Sequence, residues 1–295
     1  RNHMIMSNVT STRILFTGYA PVHFVCFRPL YERLTRWPGV EVFVSGGLRT
    51  KTEHETSYDL NGMYDPFGVP RERQLTVAQI RDRDFNVLFA ANTTLIMPRS
   101  VGVRVQLFHG ISFRNKAIRA ENMSCEHYFL VGPYMQRKFI DAGLFEQDDP
   151  RGVCIGFPKT DALLNGTLDR AAILREHGLD GERPVVLYAP TGQKHNSLET
   201  MGNEVIDRIN ACGRYDLVIK LHDHPKRSDV NWRHHLPQRE NPHCRVTRSL
   251  DVVPLMYMAD LLMTDASSVS SEFALLDRPM IFLDVPKLLK RAGEN

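Results

Sequence analysis

Short apolar runs, rich in β-branched and aromatic residues, alternate along this chain with longer stretches in which apolar residues return every three or four positions. Runs at 13–17, 40–44, 86–90, 103–108, 127–131 and 152–156 read as buried strands, and a second series follows at 184–188, 217–220, 244–246, 261–263 and 280–283. The first helix is predicted over 24–37, where Phe27, Leu30, Tyr31 and Leu34 share a face. Residues 48–75 are polar and irregular and read as a long loop with short helices. A charged helical connector at 169–177, followed by the turn residues Asp180 and Gly181, separates two halves, predicted as domains at 8–168 and 169–295. Strands alternating with helices predict an α/β fold of two Rossmann-like domains, each a parallel sheet covered by helices on both faces. Ligands in such sheets bind beyond the carboxyl ends of the strands, so two halves facing a central cleft are expected. No closing helix is expected after the last strand, which leaves room for a native chain continuing beyond Asn295.

Composition narrows the function classes. With 42% hydrophobic and 24% charged residues over 295 positions, the chain has the make-up of a globular protein long enough for two domains. Lys and Arg number 37 against 34 Asp and Glu, and this small excess gives no reason to expect nucleic-acid binding. It leaves room for a basic patch facing anionic substrates or lipid headgroups. The cysteines Cys26, Cys125, Cys154, Cys212 and Cys244 are scattered and show no Cys-x-x-Cys spacing, which fits reduced thiols in the cytoplasm. No run reaches the roughly 18 apolar residues of a membrane span, and the start lacks the apolar core of a signal peptide. The histidine clusters lack the i, i+4 spacing of a helical zinc site, and no Asp-x-Asp cation motif occurs, so no metal or other cofactor is expected.

Candidate chemistry gathers where strands end. After the run at 261–263, Thr264, Asp265, Ala266, Ser267 and Ser268 form a small, hydroxyl-rich turn before a helix that carries Glu272. Such a turn lets backbone N–H groups approach an anion, which suits a nucleotide diphosphate, with Glu272 placed for ribose hydroxyls; an ordinary serine cap gives the same pattern. His109, after the fourth run and before Gly110, is a candidate general base at a tight turn, or a loop-binding histidine. Lys220, His222 and His224 follow another strand and are placed to neutralise a departing diphosphate, or to form a solvated charged loop. Thr191 and Gly192 end a further strand, as donor contacts or as a helix cap. In the first half, His23 is either an acceptor contact or a buried polar residue satisfied by the backbone. Arg114, Lys116 and Arg119 suit an anionic acceptor or a membrane surface, and equally a solvated helix face.

Taken in order, Phe108-His109-Gly110, the segment Gly156 to Asp161, Leu187-Tyr188-Ala189-Pro190-Thr191, Lys220-Leu221-His222 and Asp265-Ala266-Ser267-Ser268 resemble the CDP-glycerol glycerophosphotransferase family of teichoic-acid and capsule polymer synthesis, across residues 105 to 285. The resemblance implies a GT-B-like architecture and transfer of a phospho-polyol from a CDP-linked donor to a hydroxyl of a lipid-linked glycan or polymer. It implies His109 as base and a location at the cytoplasmic face of a membrane. The chain departs from the family pattern at Asp223 and His224 before Pro225, at Gly192-Gln193-Lys194, at Ala266 and at Glu272. Three rival readings share the fold or the cradle: a nucleotide-sugar glycosyltransferase, a UDP-sugar 2-epimerase and a non-catalytic nucleotide-sugar-binding protein.

Overall fold

A computed structural model describes residues 11–110, 117–223 and 230–293. The chain divides into two compact units, Arg1–Lys159 and Thr160–Asn295. The boundary therefore lies ahead of the one expected at 168/169. The short helix Asp161–Leu164 packs against the helix Val253–Met258 and so joins the second unit.

The first unit is built on a parallel sheet of seven strands: β1 (Thr12–Gly18), β2 (Val40–Gly46), β5 (Gln74–Leu75), β6 (Asp84–Ala90), β7 (Ser100–Gln106), β8 (His127–Leu130) and β9 (Gly152–Cys154). Their spatial order is β5-β2-β1-β6-β7-β8-β9, so the direction of winding reverses between β1 and β6. Both faces are covered. Phe16 and Phe89 stack at 4.8 Å on one face beneath the first helix, while neighbouring Leu15 and Leu88 enter a separate cluster with Ile80 and Phe85 on the other.

The first helix runs Pro21–Leu34 rather than 24–37, because Pro21 occupies its first turn, where a missing N–H costs nothing. Residues 48–75 are not a plain loop. They form an antiparallel hairpin of β3 (Leu48–Lys51) and β4 (Thr56–Asp59), a helix at Leu60–Tyr64 and the edge strand β5. The hydroxyl of the fully buried Tyr64 donates to the Ser45 carbonyl at 2.7 Å and ties this segment to β2.

The second unit holds five parallel strands: β10 (Val185–Ala189), β11 (Asp216–Lys220), β12 (Cys244–Thr247), β13 (Leu261–Thr264) and β14 (Met280–Phe282). They are ordered β12-β11-β10-β13-β14, with the winding reversal between β10 and β13. Its core includes Val186, Tyr188, Leu217, Ile219 and Met263. A helix at Pro286–Gly293 follows β14, where no closing helix was expected; it is started by Pro286 and anchored by the buried Val285 and Leu288. Among the described residues no helix is long and apolar enough to cross a membrane.

Candidate active site

In an open α/β sheet the crevice at the winding reversal, beyond the carboxyl ends of the strands, is the natural ligand position. Each unit gathers candidate side chains there.

In the first unit, β1 ends at Gly18, and Tyr19 and Ala20 lead into the first helix, which carries His23. His23 is 2% exposed, and its Nδ1 accepts the Tyr19 N–H at 3.1 Å. Gly18 makes room for it: a Cβ there would lie 2.8 Å from the His23 Cβ. The Tyr19 ring meets His23 edge-on and carries the Arg49 guanidinium 3.8 Å above it. Past the reversal, β6 delivers Ala91 and Asn92, and β7 delivers His109. The His109 Nδ1 lies 2.6 Å from the Ala91 carbonyl oxygen. A carbonyl only accepts, so Nδ1 carries the proton, and the lone pair of the neutral ring sits on Nε2. The two imidazoles pack together with centroids 4.9 Å apart.

His23 is thus a buried group, bound by backbone and seated against His109. Gly110 follows at a half-buried turn. Arg114 and Lys116 lie outside the described residues; Arg119 is exposed and pairs with Glu121 at 3.7 Å. Asn92, next to Ala91 just beyond the end of β6, is a further candidate that was not singled out from the sequence. It is 1% exposed, its amide donates to the Thr94 carbonyl, and its Oδ1 finds no donor among the described residues.

In the second unit one carboxylate joins the turn after β13 to the segment that follows β10. Asp265, 3% exposed, accepts the Thr191 N–H through Oδ1 and both the N–H and the hydroxyl of Ser197 through Oδ2, each at 2.8 Å. The Tyr188 hydroxyl completes this network, 2.8 Å from the Ser197 Oγ, and its burial holds the phenol well above its usual pKa. Asp265 therefore orders these turns, with both oxygens committed to the protein. Ser197 is the second missed participant, hidden because its partner lies 68 residues away.

Thr191 is 8% exposed and Gly192 is buried. His222 stands exposed against this turn: a Cβ on Gly192 would lie 2.7 Å from the His222 Cγ and Nδ1. Lys220 turns inward. Its Nζ donates to Asp223 Oδ1 at 2.6 Å and to the Leu221 carbonyl at 2.9 Å, while Arg233 donates to the His222 and Asp223 carbonyls. His224 lies outside the described residues. Ser267 and Ser268 lie at the turn after β13, half-buried and exposed respectively; Ser268 makes no side-chain cap to the short helix Val269–Phe273. Glu272, on that helix, is 2% exposed. Among the described residues no three His, Cys, Asp or Glu side chains are grouped to hold a metal ion.

Comparison with known proteins matches residues 86–286 to the family model of CDP-Glycerol:Poly(glycerophosphate) glycerophosphotransferase. The chain is 33% identical over 129 residues to a teichoic acid glycerol-phosphate primase of Bacillus spizizenii, covering 43% of this chain and 32% of the relative. It is 29% identical over 163 residues to a teichoic acid poly(glycerol phosphate) polymerase of Staphylococcus epidermidis, covering 52% of this chain and 22% of the relative. The chain thus spans about a third or less of the length of these curated relatives. In fold it is similar to the wall teichoic acid polymerase TagF, with a TM-score of 0.65 at 16% identity over 94% of this chain and 71% of that one. A UDP-N-acetylglucosamine 2-epimerase structure is also similar, with a TM-score of 0.57 at 13% identity over 93% of this chain and 79% of that one. These likenesses give the α/β, GT-B-like fold. The family match runs through both units, taking in the His109 turn, the Thr191 and His222 turns and the Asp265 network, and by it the chain belongs to the CDP-glycerol:poly(glycerophosphate) glycerophosphotransferase family.

Proposed function

We propose that this chain carries the transfer of a phospho-polyol from a CDP-linked donor to a hydroxyl of a lipid-linked glycan or polymer. The observation that carries this reading is the 2.6 Å contact between His109 Nδ1 and the Ala91 carbonyl. It fixes the tautomer whose Nε2 accepts a proton, as a general base requires. The acceptor hydroxyl attacks the phosphorus bearing the polyol and gives its proton to Nε2. A new P–O bond forms, the bond to the nucleotide phosphate breaks, and the nucleoside monophosphate leaves.

The donor is held by the second unit. The Thr191–Gly192 turn and the serines Ser267 and Ser268 offer donors to the phosphates, His222 meets the leaving group, and Glu272 binds the ribose. Asp265 keeps the first turn in shape. Lys220 contributes through its ion pair with Asp223, by fixing the His222 turn. Cytoplasmic action at a membrane surface, where lipid-linked acceptors reside, belongs to the same reading.

The test is thermal stabilisation by CDP-glycerol, CDP-ribitol, UDP-sugars and the free nucleotides at matched concentration, followed by transfer assays of His109→Ala. Selective stabilisation by a CDP-polyol, kept in the variant while transfer is lost, is the expected result. Preference for a UDP-sugar overturns the donor assignment, and full transfer by His109→Ala overturns the base.

A further inference from the structure

A cavity of about 280 Å³ opens in the first unit at the carboxyl end of β2, between the β3–β4 hairpin and the segment that follows β5. Gly46, together with Thr56, Ser57 and Tyr58 of β4 and with Thr76 and Arg81 beyond β5, lines it. None of its lining residues is a carboxylate. Arg81 is exposed, and among the described residues it forms no ion pair. The wall thus offers hydroxyls around one guanidinium, a set that suits a ligand carrying both alcohol groups and a phosphodiester, because the guanidinium fork binds phosphate oxygens in pairs.

The cavity lies on the same edge of the sheet as His109. In the order β2-β1-β6-β7, three strand steps of about 4.8 Å separate the end of β2 from the end of β7, roughly 14 Å in all. Strand pairing and side-chain contacts step across that interval. Tyr58 lies opposite Arg49 in the hairpin register, Arg49 covers Tyr19, Tyr19 holds His23, and His23 packs on His109. A single small alcohol does not span such a distance, whereas a chain of repeating units does.

We infer that the Thr56–Ser57–Thr76–Arg81 cavity is an acceptor subsite for an anionic phosphodiester-linked polyol chain, binding it upstream of the hydroxyl presented to His109. This rests on the transferase reading for the identity of the reacting end, while the binding itself is measured without turnover.

The experiment titrates the full chain with a synthetic oligo(glycerol phosphate), and separately with a neutral oligosaccharide of similar length, by calorimetry. Wild type, Arg81→Ala, Arg81→Lys and Thr56→Ala are compared, with CDP-glycerol binding measured on each. Because both positions are exposed, the variants are expected to melt as wild type does. The expected result is binding of the phosphodiester oligomer that weakens about tenfold or more in Arg81→Ala, is partly restored by lysine, and leaves the nucleotide donor unaffected. Equal binding by wild type and Arg81→Ala overturns the subsite, as does preference for the neutral oligosaccharide. Arg81-dependent oligomer binding in a protein that uses no CDP-polyol would overturn the transferase reading and leave the subsite standing.

Discussion

His23 and His109 pack ring against ring, with centroids 4.9 Å apart, and each is held at Nδ1 by the backbone in the opposite sense: His23 accepts from the Tyr19 N–H, and His109 donates to the Ala91 carbonyl. Opposite bonds select opposite tautomers of the neutral rings, so His23 carries its proton on Nε2 and His109 on Nδ1. In the proposed mechanism His23 is thereby a fixed wall and His109 the base. Replacing His23 with leucine removes the acceptor for Tyr19 and the wall behind His109. Transfer is expected to fall about 10- to 100-fold, through kcat, with the donor KM unchanged. His109→Ala is expected to lose about 100- to 10,000-fold. Steady-state kinetics of both variants separate positioning from proton transfer; a His23→Leu variant with wild-type kcat would remove His23 from the site.

Asp265 makes a different kind of contribution. An asparagine there keeps the shape but turns one acceptor oxygen into a donor, facing groups of which two are backbone N–H donors. Leaving one such buried group unsatisfied costs about 1–3 kcal/mol. Asp265→Asn is therefore expected to speed amide exchange at Thr191 and Ser197 and to weaken nucleotide binding, with first-unit exchange unchanged. Hydrogen exchange read residue by residue distinguishes this local loosening from global destabilisation.

Gly192 supplies a test of the donor turn itself. The Cβ of Gly192→Ala would sit 2.7 Å from two His222 ring atoms and 3.0 Å from its Cβ, so the exposed ring has to move aside. We expect this variant to fold normally and to reproduce the transfer defect of His222→Ala. Combining the two substitutions is expected to add little beyond either alone, because both act through one ring. Independent, multiplicative losses would show that Gly192 acts on the donor without His222.

The parts of the fold that were legible in the sequence are those buried on both faces. Residues 185–189 form an unbroken apolar run because helices cover both sides of β10, and all five are buried. The β3–β4 hairpin was not legible for the converse reason: none of its residues is buried, so no alternation betrays it. At the candidate site, the positions of His109 and Thr191 could be read from strand ends, since the sheet alone fixes them. Their partners could not. Ala91 contributes only a carbonyl, and Ser197 meets Asp265 across a long sequence separation. The charges at Lys220 and Asp223 were visible, but their three-residue spacing did not reveal that the turn would bring them into an ion pair.

The acid limb of stability should depend on Glu126. Its carboxylate takes the Arg104 N–H at 2.7 Å and the Arg104 guanidinium, which anchors the loop before β8 to β7. Hydrogen bonding from that guanidinium lowers its pKa from 4.5 to about 2. A carboxylate depressed in the folded state stabilises the protein fully above its unfolded pKa, and that contribution is lost as pH falls toward the folded value. The window is therefore about pH 4.5 down to about pH 2. Asp149, lowered to about 2 by Arg151, acts in the same direction from 3.8 downward. Both arginines are partly open to water, so the effect is modest in size and screened by salt. Glu126→Gln cannot titrate. It is expected to be slightly less stable than wild type at pH 7 and to lose less on acidification, so the two melting-temperature curves converge between pH 4.5 and 2. Parallel curves across that window would show that the Arg104 pair does not set the acid response.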